Sequence, residues 1–136
     1  MKGVYVLGFI EAIKQKVGQE KFQKVLQHAG FKQEPVIFAI IDVDDGVFFR
    51  IIHSTSKVLN VPLCKITEIF SDFWIHHFTQ KLYRKIYQQY NSFKDLLLDL
   101  NWLHEMLTKY LPRRKPPKFE YQWENEKTLL ITYKSK

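Results

Sequence analysis

The sequence has a single cysteine, Cys64, and only five glycines and five prolines among 136 residues. One cysteine excludes an intrachain disulfide and any site built from clustered thiolate ligands, which suits a reducing cytoplasm. No apolar stretch approaches the length of a membrane span, and Glu11 interrupts the run from Val4 to Ile10 that could resemble a signal peptide. We therefore expect a soluble intracellular protein.

Apolar and positively charged side chains are abundant by contrast. Hydrophobic residues make up 46% of the chain and aromatic residues 15%, enough to build a core and also to line a ligand pocket. The formal net charge of +7 is compatible with nucleic acid, a membrane surface or a small ligand that carries carboxylates. A length of 136 residues predicts a single domain, 1–136.

Helical periodicity extends from Met1 to about Leu111. The predicted helices are a first one with Val4, Leu7, Phe9 and Ile13, a second with Phe22, Val25 and Leu26 that Gly30 closes, then Val47 to Leu59, Pro62 to about Gln80, a short one within Lys81 to Tyr90, and Phe93 to Leu111 with an Asn91-Ser92 cap. Residues 112–117 contain three prolines and are predicted to form a linker.

The pattern changes to strands in residues 118–136. Phe119, Tyr121 and Trp123 alternate with polar residues, and the β-rich segment Thr128 to Tyr133 follows a turn. The sequence therefore predicts an α+β fold, an N-terminal helical bundle followed by an antiparallel β-hairpin. An isolated hairpin is marginal in water, so we expect further strands in a longer parent sequence.

His104 interrupts a leucine stripe on the last predicted helix. The stripe consists of Leu96, Leu100, His104, Leu107 and Leu111. An imidazole on such a face must satisfy both ring nitrogens away from water, either as a hydrogen-bonded core histidine or as a metal ligand. These two interpretations remain open on spacing alone.

Protein ligands that could share a metal with His104 are hard to find, since no HExxH or Cys-His spacing occurs. Haem brings its own ring nitrogens and needs only an axial imidazole, apolar walls and polar groups at its propionate edge. The missing co-ligands therefore favour such a cofactor.

The sequence resembles the haem nitric-oxide/oxygen-binding (H-NOX) family, whose sensor domain is related to that of soluble guanylate cyclase. The similarity covers the whole chain, as a C-terminally truncated family domain. It is carried by Met1-Lys2-Gly3, by Asp42, Asp44 and Asp45, by the specific stretch His104-Glu-Met-Leu-Thr108, by Pro116-Pro117 and by Tyr133-Lys-Ser135.

The resemblance implies haem b as cofactor and a role for each matching residue. His104 would ligate the iron, Pro117 would pack against and distort the porphyrin, and Tyr133 and Ser135 would hold the propionates. The arginine that completes this family motif would be residue 137, beyond Lys136.

The resemblance also implies a distal wall. Its residues would be Tyr5, Phe9, Trp74 and Phe78. The tyrosine with which oxygen-binding members hold O2 would lie beyond the sequence, so this marker does not decide between the gases. Tyr5 is a candidate substitute donor, and we expect NO to be favoured over O2, with CO as a further ligand.

The function implied by the resemblance is a switch. Gas binding opposite His104 would weaken the iron–histidine bond, and the relaxation would be read by a separate protein such as a histidine kinase or a diguanylate cyclase. We expect no enzyme activity, because no nucleophile–base pair, phosphate loop or paired carboxylate is visible.

Two other functions compete with the sensor. A degenerate, haem-free H-NOX-like domain would serve as a protein-interaction module, its pocket filled by Trp74, Phe78 and Trp102. Nucleic-acid binding could follow from the positive charge, but Lys and Arg are dense only between Arg113 and Lys118 and no recognised motif accompanies them. We therefore expect neither a nucleic-acid nor a membrane partner.

Overall fold

The computed structural model describes residues 1–110 and 115–134. Contacts divide the chain into two compact units, Met1–Tyr83 and Arg84–Lys136. The first unit is helical, and the second carries short helices followed by a two-stranded antiparallel sheet. The predicted α+β fold is confirmed. In the parts of the chain described, no helix combines the length and the apolar character that crossing a membrane requires.

The first unit contains four α-helices and one π-helical turn. They are α1 (Gly3–His28), α2 (Asp45–Leu59), α3 (Leu63–Phe73), the π-turn (Trp74–Phe78) and α4 (Thr79–Leu82). The two helices predicted before Gly30 form one element, α1, kinked at Gly18 (φ 82°, ψ 165°). That conformation is essentially restricted to glycine. Gly30 also has a positive φ, 81°, and follows the end of α1 as predicted.

The core of the first unit lies between α1, α2 and α3. Its fully buried large side chains are Val6, Phe9, Ile13, Phe22, Val25, Leu26, Ile51 and Ile66. Phe9 makes edge-to-face contacts with Phe48 and Phe70, at centroid distances of 5.5 Å each. Because these residues come from all three helices, this cluster fixes how the helices pack.

The segment before α2 closes the N-terminal end of α1. The Gly3 and Val4 N–H groups donate to the carbonyl oxygens of Ile41 and Ala39, at 2.9 Å each. A Cβ on Gly3 would overlap the Phe38 carbonyl oxygen. Asp42 forms an ion pair with Lys2 at 2.9 Å. Gly3 and Asp42 are two of the residues on which the family resemblance depends. Both therefore have structural roles where the segment before α2 packs against the start of α1.

The second unit contains α5 (Arg84–Tyr87), α6 (Phe93–Leu98), α7 (Leu100–Thr108), β1 (Lys118–Asn125) and β2 (Thr128–Lys134). Ser92 caps α6 by accepting a hydrogen bond from the Asp95 N–H at 3.1 Å, as predicted. The prediction of one helix over Phe93 to Leu111 is wrong, because the chain breaks at Asp99 (φ −93°, ψ 3°). Leu111 and linker residues 112–114 lie outside the described residues.

Two features of Asp99 explain the break. Aspartate is a poor residue for a helix interior, since its short side chain forms competing local hydrogen bonds. Its carboxylate accepts a hydrogen bond from the Tyr90 hydroxyl at 3.1 Å. The break also corrects the leucine stripe: Leu103 is 6% exposed, whereas the predicted stripe residue Leu107 is 43% exposed.

The hairpin has the predicted strands, and the predicted alternation holds at Phe119 and Tyr121, whereas Trp123 is exposed next to an irregularity in the register. Phe119 is opposite Tyr133, and Tyr121 is opposite Ile131. Phe119, Tyr121 and Ile131 are half-buried, while their neighbours along each strand are exposed. One face of the hairpin therefore packs within the second unit, with β1 contacting α7.

Candidate functional site

His104 lies on α7 with its imidazole held in one tautomer. Its Nδ1 is 2.7 Å from the carbonyl oxygen of Leu100. A carbonyl oxygen only accepts, so Nδ1 donates, and in the neutral imidazole Nε2 is then the nitrogen that carries the lone pair. Nε2 has no hydrogen-bond partner within residues 1–110 and 115–134. A backbone carbonyl on one ring nitrogen is the usual way to orient a metal-binding histidine through the other.

Aromatic rings connect His104 to both strands. The His104 ring centroid is 5.2 Å from that of Phe119, which is 5.4 Å from that of Tyr133. Tyr133 is exposed, and its hydroxyl has no hydrogen-bond partner in the described parts of the chain. Pro117 is half-buried directly before β1, and Ser135 lies outside the described residues. Phe119 was not among the predicted site residues, although its place on the inward face of β1 could have indicated it.

Asn101 attaches β1 to α7. Its Nδ2 donates to the Phe119 carbonyl oxygen at 2.8 Å, and the Phe119 N–H donates to its Oδ1 at 2.7 Å. The Tyr121 hydroxyl donates to the Leu97 carbonyl oxygen at 2.7 Å, and burial raises the pKa of Tyr121. The sequence did not predict Asn101 as a site residue, because no local pattern distinguishes it from a solvent-facing asparagine on a helix.

Replacing Asn101 with alanine is expected to loosen β1. The substitution leaves both backbone groups of Phe119 without their partner in a half-buried place, at a cost of about 1–3 kcal/mol. The Phe119 amide should then exchange its hydrogen faster than in the wild type. Asn91→Ala, an exposed change just before α6, is the control. Unaltered hydrogen exchange at the Phe119 amide in Asn101→Ala would show that the two hydrogen bonds from Asn101 do not hold the strand.

Three of the four predicted distal residues form a stack in the first unit. The Trp74 ring lies 4.9 Å from Tyr5 with a 25° interplanar angle and 5.0 Å from Phe78 with 19°. Trp74 and Phe78 are the first and last residues of the π-turn. Such turns are rare in proteins, and those that do occur are often at functional sites.

Phe9, the fourth predicted distal residue, is fully buried in the core. It contacts the stack through Phe70, whose centroid is 5.6 Å from that of Trp74. Phe9 therefore supports the stack from the core side.

Gly8 lets the Trp74 indole lie directly on α1. A Cβ at Gly8 would be 2.8 Å from Cζ3 of Trp74, closer than real side chains approach. Helical periodicity alone did not single out Gly8, because the need for a glycine arises from a ring that is distant in sequence.

The donor set at His104 fits a cofactor that brings its own ligands. Among the described residues, no group of three or more His, Cys, Asp or Glu side chains could hold a metal ion. One oriented imidazole with a free lone pair is what haem requires from a protein. Trp102, which the haem-free alternative predicted to fill the pocket, is exposed.

A family model for haem-NO-binding domains matches residues 2–136. The chain belongs to this family. Its members, the H-NOX domains, are haem-based gas sensors. The predicted family resemblance is thereby confirmed over almost the whole chain.

Solved H-NOX structures share the fold at low sequence identity. A Cs H-NOX mutant carrying 4-cyano-L-phenylalanine has a TM-score of 0.79 and 21% identity, over 98% of this chain and 71% of that one. An H-NOX protein from S. oneidensis in the Fe(II)NO state has a TM-score of 0.77 and 16% identity, over 99% and 74%.

An oxygen-binding H-NOX domain related to soluble guanylate cyclases, solved as its oxygen complex, gives a TM-score of 0.77 and 20% identity, over 98% of this chain and 70% of that chain. These likenesses support the fold alone. A comparison with curated proteins finds no significant match.

Proposed function

We propose that this H-NOX domain is a haem-based sensor of diatomic gases in which His104 is the proximal iron ligand. The supporting observation is the hydrogen bond from Nδ1 to the Leu100 carbonyl oxygen at 2.7 Å. It leaves Nε2 with a lone pair and orients the ring, as metal-binding histidines require. Haem b, bound through this nitrogen, would supply the iron that takes the gas.

Residues around β1 and β2 are proposed to hold the rest of the cofactor. Pro117 would pack against the porphyrin, while Tyr133 and Ser135 would donate hydrogen bonds to the propionates. The Tyr133 hydroxyl has no hydrogen-bond partner among the described residues, which supports its part, since a neutral hydroxyl can donate to a carboxylate.

The distal wall is proposed to consist of Tyr5, Trp74 and Phe78, with Phe9 behind them in the core. Their mutual ring contacts give this wall a mainly apolar character. An apolar wall favours NO and CO over O2, because bound O2 gains more from hydrogen-bond donors. We therefore propose NO as the preferred ligand.

A shift of His104 would be transmitted through its contacts. Its ring packs on Phe119 in β1, and its Nδ1 is tied to Leu100 at the α6–α7 break. We propose that a separate cytoplasmic partner, such as a histidine kinase or a diguanylate cyclase, reads this movement. The proposed role is signalling without catalysis.

Adding hemin to the purified protein tests this function. The protein should retain the haem through gel filtration and show a Soret band, which should change when the reduced protein meets NO. Air should give no oxygen complex as persistent as the NO complex. A protein that stays colourless would contradict the sensor function.

A haem-free interaction module is the second candidate. It is favoured by an exposed apolar segment before α2, in which Val36 is 82% and Phe38 65% exposed. Exposed apolar residues grouped in this way often mark protein contacts. A colourless protein would support this candidate.

A further inference from the structure

The break between α6 and α7 in the second unit is held by a side chain from outside both helices. Asp99 is the N-cap residue of α7, but among the residues that the structure describes its carboxylate makes no capping hydrogen bond to that helix. An aspartate in this place usually accepts from an N–H of its own helix. Here the carboxylate accepts from the Tyr90 hydroxyl at 3.1 Å, which attaches the break to the segment after α5.

Strand β1 is bonded to the chain on both sides of the break. The Tyr121 hydroxyl donates to the carbonyl oxygen of Leu97 in α6 at 2.7 Å. Two residues earlier in the strand, the Phe119 backbone exchanges two hydrogen bonds with Asn101 in α7. Together with Tyr90, these contacts fix the direction in which α7 leaves α6.

The hydroxyls of Tyr90 and Tyr121 remain donors at neutral pH. Burial raises the pKa of both groups, and the nearby charge of Asp99 raises each pKa further. Since tyrosine ordinarily ionises at about pH 10, neither hydroxyl loses its proton near neutral pH. Both hydrogen bonds are therefore available under the conditions in which the protein would work.

His104 depends on the first turn of α7. Leu100 directly follows Asp99, and its carbonyl oxygen is the acceptor for His104 Nδ1 at 2.7 Å. The Asp99 carbonyl oxygen accepts from the Leu103 N–H at 2.9 Å. Because the peptide bond between Asp99 and Leu100 is planar, a rotation at Asp99 turns the start of α7 and moves the acceptor of the His104 ring.

We propose that Tyr90 and Tyr121 are positioning residues for His104. By fixing the α6–α7 break, their hydroxyls keep the Leu100 carbonyl oxygen where it selects the Nδ1–H tautomer of the imidazole. Neither tyrosine makes a hydrogen bond to His104, so both act through the backbone. This inference rests on the proposed function, in which Nε2 of that tautomer binds the haem iron.

The double variant Tyr90→Phe/Tyr121→Phe tests the positioning in haem-free protein, because it keeps both rings and removes both hydroxyls. At about pH 8, above the ordinary histidine pKa of about 6.5, nitrogen-15 chemical shifts distinguish the two tautomers of His104. The share of the Nδ1–H form should fall, and the Leu103 amide should exchange its hydrogen about two- to tenfold faster, as the loss of one hydrogen bond implies. Tyr110→Phe, which removes an exposed hydroxyl just after α7, is the control and should change neither value.

The tautomer of His104 separates positioning from a merely structural role. A folded double variant with the wild-type share of the Nδ1–H form overturns the proposal, even if the Leu103 amide exchanges faster. If the double variant does not fold, Tyr90→Phe decides by the same measurement, because it removes only a solvent-exposed hydrogen bond.

Haem-loaded protein gives the second measurement. The iron–histidine stretching band of the double variant should move to lower frequency, because a hydrogen bond at Nδ1 raises the basicity of the nitrogen that binds the metal. A band at the wild-type frequency overturns the proposal.

The proposed function and the positioning fail differently. A wild type that takes up no haem contradicts the proposed function, while a fall of the Nδ1–H share in the haem-free double variant still supports the positioning of His104. A wild type that takes up haem, with an unchanged tautomer share in the double variant, contradicts the positioning alone.

Discussion

His104→Ala is expected to abolish the Soret band that hemin produces with the wild-type protein. Alanine removes Nε2, the nitrogen proposed to bind iron, and supplies no other ligand. Losing an outer-shell partner of a metal ligand already costs about 10–100-fold in affinity, so losing the ligand itself should cost more. Absorption during hemin titration, followed by gel filtration, measures the effect.

The fold should survive this substitution. Alanine has the highest helix propensity, and the lost hydrogen bond to Leu100 is worth only about 0.5–1.5 kcal/mol. His53→Ala, on the exposed side of α2, controls for adventitious binding of hemin to surface histidines. Equal haem uptake by His104→Ala and the wild type would remove His104 from the site.

Phe9→Ala is expected to destabilise the first unit by about 3–5 kcal/mol. The ring is fully buried and contacts both Phe48 and Phe70. Its removal leaves a cavity where α1, α2 and α3 meet, and the cavity adds to the lost burial of apolar surface. Urea denaturation followed by circular dichroism measures the change in the free energy of unfolding.

Two control variants test whether the loss of stability comes from the packing of the Phe9 ring. Phe93→Ala truncates an exposed ring and should change stability by less than about 0.5 kcal/mol. Phe9→Leu keeps most of the apolar volume and should recover much of the stability. A Phe9→Ala protein as stable as Phe93→Ala would contradict the central place of Phe9 in the core.

Features governed by local patterns could be predicted from the sequence. The alternation of Phe119, Tyr121 and Trp123 predicted β1 because side chains in a strand change face at each residue. Gly30 and Ser92 were recognised as helix-end residues because their chemistry suits those positions.

Features that depend on distant contacts could not be predicted. The leucine stripe suggested an uninterrupted helix, whereas the hydrogen bond from Tyr90 to Asp99 accompanies a break in it. Gly8 is required only because Trp74 lies on it, and Asn101 matters only because Phe119 is beside it. Neither partner is close in sequence, so no local periodicity indicates the pair.

The candidate site shows the same division. His104 stood out as a polar residue on an apolar face, but its tautomer depends on the 2.7 Å contact with Leu100. The family resemblance predicted Tyr5, Trp74 and Phe78 as site residues. The stacking of their rings could not be predicted, because it depends on the π-turn that carries Trp74 and Phe78.

Resonance Raman spectroscopy of the reduced, haem-loaded protein is the most direct test of ligation by His104. The wild type should show an iron–histidine stretching band that shifts with the iron isotope. That band should disappear in His104→Gly and return, at an altered frequency, when free imidazole is added. An unchanged iron–histidine band in His104→Gly would contradict His104 as the proximal ligand.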